Sequence, residues 1–71
     1  MDFHLTSNND GTTLIRPISA RGHTFWQEKN FNKFVVDNTA EHYVILTENQ
    51  PKICDEIREN NMDFSNQFIV N

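Results

Sequence analysis

From the second residue the chain alternates. Phe3 and Leu5 fall on one side of an extended backbone, His4 and Thr6 on the other. That is the period of a strand with one covered face. Ser7-Asn8-Asn9-Asp10-Gly11 then crowds turn-forming residues, and Asp-Gly at its end supplies a position tolerant of positive φ. Thr12-Thr13-Leu14-Ile15-Arg16 is β-branched and again strand-like. Residues 2–16 therefore read as a β-hairpin. Pro17, with no N–H for the ladder, stops its second strand.

A different period follows. Ser19 is suited to cap a helix, because its hydroxyl accepts an orphan N–H of the first turn. The helix is expected from about residue 20 to residue 30, with Ile18, Gly22, Phe25, Trp26 and Lys29 on one stripe. Gly22 costs about 1 kcal/mol there relative to Ala, a placement that suits a helix lying close against a sheet. Asn30 or Asn32 is placed to end the helix in a left-handed cap. Phe34-Val35-Val36 is a short apolar run, best read as a central strand with both faces covered. Residues 37–40 are polar and turn-like, and residues 42–46 are the most strand-prone run in the chain. The two runs can pair as a second hairpin.

Pro51 suits the first turn of a second helix, where its missing N–H is no loss. Ile53, Cys54 and Ile57 share one face, while Asp55, Glu56, Arg58 and Glu59 occupy the rest. Asn60-Asn61 is a candidate cap, with Met62 placed to pack back on the last turn. Phe64, Phe68 and Val70 alternate with polar residues and suggest a last strand at about residues 66–70. The element order is ββ-α-ββ-α-β. One mainly antiparallel sheet with two helices on one face is the simplest way to bury both helical stripes, an α+β fold in a single domain of residues 1–71.

Composition narrows the class. At 71 residues the core is small, and small domains compensate with disulfides, metals or self-association. Cys54 is the sole cysteine and has no disulfide partner in the chain, so a homodimer is one expected solution. Residues 1–5 show no basic segment followed by an apolar run, and a lone cysteine suits a reducing compartment, so the expected location is the cytoplasm. The net charge is −4, and residues 37–71 hold seven of the ten carboxylates. That balance argues against generic binding of a phosphate backbone, which needs clustered Lys and Arg.

Catalytic patterns are sparse. His4, His23 and His42 sit in different elements and form no zinc-ligand spacing. A composite site of His42 with Asp37 or Glu41 rests on proximity alone. Cys54 lies near a helix N-terminus, which favours a thiolate, but between Ile53 and Ile57 it reads first as a small core residue. Asp55, Glu56 and Glu59 fall on an outward helical face, whereas acid catalysis wants desolvated carboxyls in a cleft. Two glycines, at 11 and 22, make no phosphate loop. No catalytic, metal-binding or cofactor-binding residue is assigned, and no cofactor is expected.

The run Arg16-Pro17-Ile18-Ser19, then Phe25-Trp26-Gln27-Glu28-Lys29-Asn30, then Phe34-Val35-Val36-Asp37 resembles a pattern in short, uncharacterised bacterial and phage proteins. In those, Pro-Leu-Thr precedes a helix bearing Trp or Phe and Glu-Asn, and a Val-Val strand follows. The chain departs from that pattern afterwards, where residues 42–46 and Pro51 precede the second helix. The resemblance implies a small accessory protein, encoded by a phage or mobile element, and transfers no functional residue.

The expected function is a non-enzymatic protein-interaction module that binds a protein partner or a second copy of itself. Phe25 and Trp26 point about 100° apart on a helix. One is expected in the core and the other at its rim, where Trp is favoured at interfaces. Trp26 and Tyr43 are accordingly the candidate partner-binding residues. The alternative is a small nucleic-acid-binding domain that uses Arg16, Arg21, Lys29 and Lys33 beside the aromatics Phe25, Trp26, Phe31, Phe34 and Tyr43.

Overall fold

A computed structural model describes residues 1–68. The first hairpin forms as expected, with β1 (Phe3–Ser7) antiparallel to β2 (Thr12–Pro17). Gly11 takes a φ of 86° in the turn. Asp10 accepts hydrogen bonds there from the N–H and hydroxyl of Thr12. Pro17 ends β2 from within, opposite Phe3.

Helix α1 (Ala20–Glu28) begins at Ser19, whose Oγ accepts the Gly22 N–H at 2.9 Å. It stops short of the expected residue 30, and Asn30 turns the chain in the left-handed region at φ 55°. A 3-10 turn over Phe31–Phe34 follows, and then β3 (Val35–Asn38) pairs antiparallel with β4 (Tyr43–Leu46). The second hairpin is present, but the apolar run Phe34-Val35-Val36 is not a central strand. Phe34 belongs to the turn, and the free edge of β4 is taken by β2, which leaves β3 at the sheet margin. A bulge between Val35 and Asp37 leaves Val36 57% exposed.

A second 3-10 turn, Thr47–Asn49, leads into α2 (Gln50–Glu59). The helix closes where the sequence indicates. Asn61 is left-handed at φ 58°, its N–H bonds Arg58 O, and the Met62 N–H bonds Ile57 O, both at 3.1 Å. Strand β5 (Phe64–Phe68) starts earlier than residue 66 and lies parallel to β1. The expected contribution of Val70 falls outside the described residues.

The sheet order is β3-β4-β2-β1-β5, with three antiparallel pairs and one parallel pair. Alternation puts Phe3, Leu5, Ile15 and Ile45 on the inner face, where they pack with Phe25, Trp26, Ile53 and Ile57 of the two helices. The α+β architecture is therefore as expected. Both Phe25 (5% exposed) and Trp26 (1%) lie in this core. Phe25 meets the edge of Phe3, and Trp26 stacks on Tyr43 with ring centres 4.8 Å apart.

Two polar clusters tie the elements together. Asp2, 3% exposed, accepts from both Nε and an Nη of Arg21 at 2.9 and 2.8 Å, from the Ser19 hydroxyl, and from the Asp63 N–H. Its own N–H returns to the Asp63 carboxylate. One side chain thus joins the start of β1, the cap of α1 and the approach to β5. At the other end of the sheet, Ser7 and Thr13 both donate to Gln50 Oε1, and Thr13 shares a hydrogen bond with Thr47. These buried bonds dock α2 in one register, because a slip would leave polar groups unpaired in the core.

Candidate functional site

Tyr43 and Trp26 come together, although not as an exposed pair. Trp26 stacks on Tyr43 and packs against a tilted Phe31 ring, with ring centres 5.0 Å apart, and offers no surface to a partner. The expectation that one of Phe25 and Trp26 sits at the rim does not hold. The turn over Phe31–Phe34 and strand β4 fold around α1 from the side that a lone helix would leave open. Trp26 Nε1 is buried without a hydrogen-bond acceptor among the described residues. The ring is therefore held by packing alone.

Tyr43 is half-buried and lines a cavity of about 360 Å³ at one end of the sheet. Arg16 and Pro17 at the end of β2, Ile18 after it, His23 on α1, Asn38 at the end of β3 and residues 39–42 of the turn that follows complete it. His42 and Glu41 thus share a concave surface with His23, a pairing invisible in the sequence. The turn itself is held by the Thr39 hydroxyl, which accepts the His42 N–H at 3.1 Å. Among the described residues no group of three or more His, Cys, Asp or Glu is placed to hold a metal.

Cys54 is buried on α2, beside a further cavity of about 330 Å³. Burial pushes its thiol above the ordinary range, which is the wrong direction for a nucleophile. Asp55 and Glu59 are exposed on the outward side of α2 and Glu56 is half-buried, paired with Lys29 at 3.6 Å.

The four cations considered for nucleic acid do not form one patch. Arg21 is committed to Asp2. Arg16 lines the Tyr43 cavity, whereas Lys29 and Lys33 line another at the far end of α1.

The sheet also has an uncovered face. Register places Asp37, Val44, Leu14, Thr6 and Gln67 in one row across all five strands. Thr12 and Leu46 form a flanking pair, and Arg16, His4 and Ser65 another row. Leu14 and Val44 are half-buried, and Leu46 is 39% exposed. No element among the described residues packs on this side. Strand order, which no local pattern encodes, decides that Leu14, Val44 and Leu46 stand together.

No protein-family model, curated protein or solved structure matches the chain. No helix among the described residues is long and apolar enough to cross a membrane.

Proposed function

We propose that the chain is a protein-binding module that docks through the uncovered face of its sheet. The observation that carries this reading is the distribution of charge. The chain has 16 charged residues, yet the strand positions on this face carry two, Arg16 and Asp37, both away from its centre. The centre holds Leu14, Val44 and Leu46 with Thr6 and Thr12. An uncharged aliphatic centre with a polar rim is the anatomy of a protein interface. Contiguous apolar surface of this kind marks interaction sites. Trp26 supports the site from within by stacking on Tyr43, which is paired with Ile15 across the sheet. Tyr43 itself lies on the covered side of the sheet, so neither member of the expected pair belongs to this face.

The test introduces charge at the centre of the face. Leu14→Glu, and separately Thr6→Lys, should abolish capture of a partner or self-association measured by light scattering, with circular dichroism showing a folded chain. Glu48→Gln, exposed in the turn before α2, should leave binding unchanged. Equal binding by folded Leu14→Glu and Thr6→Lys variants would refute this interface.

A further inference from the structure

The chain has three lysines, and all three line one groove of about 230 Å³. They arrive from separate elements: Lys29 from the end of α1, Lys33 from the 3-10 turn, and Lys52 from the first turn of α2. Phe31, Phe34 and Glu56 complete the lining. Lys33 Nζ lies 5.2 Å from the centre of the Phe34 ring and Lys52 Nζ lies 6.0 Å from the same ring. Lys29 is matched by Glu56 at 3.6 Å. Lys33 and Lys52 have no carboxylate within ion-pair distance among the described residues, although the chain has ten.

Two features of this arrangement work against folding. Two ammonium groups on one ring repel each other. Lys52 also stands where the positive end of the helix dipole disfavours a cation, and no acidic residue offsets it in that turn. The cations gain from the Phe34 ring, and that attraction leaves their charge available to an anion.

We propose that this groove binds an acidic peptide segment of the partner protein, with its carboxylates at Lys33 and Lys52 and an apolar side chain against Phe34. The proposal rests on the protein-binding reading above and names the chemistry of the partner. Charge complementarity argues for it. A nucleic-acid strand needs a continuous basic track, whereas here two unmatched lysines stand in a chain of net charge −4, with Asp55 and Glu59 further along the same helix. The volume is below the roughly 300–1,000 Å³ of small-molecule sites and suits one or two side chains of an extended segment.

The probe is a short labelled peptide with glutamates on both sides of a phenylalanine, titrated by fluorescence anisotropy at low salt. The wild type should bind it, and added salt should weaken binding. The Lys33→Gln/Lys52→Gln double variant should bind about tenfold more weakly while it stays folded with a cooperative thermal transition, because both side chains are exposed. Leu14→Glu should bind the peptide as the wild type does. No peptide binding, equal binding by the double variant, or tighter binding of an oligothymidylate would overturn the proposal. If partner capture survives in the double variant and is lost in Leu14→Glu, the sheet-face reading stands and the groove assignment fails.

Discussion

At the N-terminal end of α1, Arg21 meets Asp2 at 2.8 Å, and the same carboxylate is hydrogen-bonded by Ser19 and by the Asp63 backbone. At the C-terminal end, Lys29, Lys33 and Lys52 gather around a groove that contains one carboxylate, Glu56. The first cluster has its acid buried and bonded on several sides. The second has its cations exposed and two of them unmatched. A buried charge must be paired to persist, so the Asp2 cluster belongs to the architecture. Exposed charges that lean on an aromatic ring carry no such obligation, and the lysine groove is free to serve recognition.

Substitutions can break this contrast. The largest effect is expected at Trp26, which lies in the core between the two ends. Trp26→Ala should cost about 3–5 kcal/mol, comparable with the whole stability of a domain this small. Thermal denaturation should show loss of the cooperative transition at room temperature. An intact transition would mean that the ring is not the packing centre. Loss of partner binding in this variant would accordingly report unfolding and not a lost contact.

Gly22→Ala tests how closely α1 is held at the Asp2 end. In an exposed helix this change stabilises by about 1 kcal/mol. Here an added Cβ would lie 2.6 Å from the backbone oxygen of Asp2. The expected outcome is destabilisation by about 1–3 kcal/mol, read as a lower urea midpoint. A raised midpoint would show that the contact yields easily.

The smallest signal is a slope. Arg21, then Ser19, hold the Asp2 carboxyl well below the usual carboxylate range. A group with a depressed folded-state pKa stabilises fully above its unfolded value of about 3.9, and that stabilisation is lost as pH falls through the folded value. Wild-type stability should therefore decline below about pH 4, and Asp2→Asn should be less stable at neutral pH with a shallower acid limb. Identical acid limbs would assign the pH dependence elsewhere, for example to Asp10, whose carboxyl is also lowered, by hydrogen bonds from Thr12.

Local signals were the most legible part of the chain. The turn ending at Gly11, the Ser19 cap, the apolar face of α2 and the Asn60-Asn61 stop each depend on a few adjacent residues. The sequence-based reading failed where a residue's surroundings come from distant segments. Phe34-Val35-Val36 reads as a buried strand because apolar content says nothing about how many neighbours a strand will have. Trp26 reads as a rim residue because the helix alone cannot show that Phe31 and Tyr43 close over it. Asp2 drew no attention, since its partners lie 17 to 61 positions away. Lys52 did carry one overlooked signal, a cation in the first turn of a helix.

By itself the sequence determined the kinds of the main elements, several of their ends and the α+β class, because periodicity, caps and turns are short-range chemistry. Only the tertiary structure decided that β5 joins β1 in parallel, that Leu14, Val44 and Leu46 share an uncovered face, and that three lysines from three elements meet at one ring. Those outcomes follow from strand order and helix docking, which come from burying all the apolar faces together and which no single segment encodes.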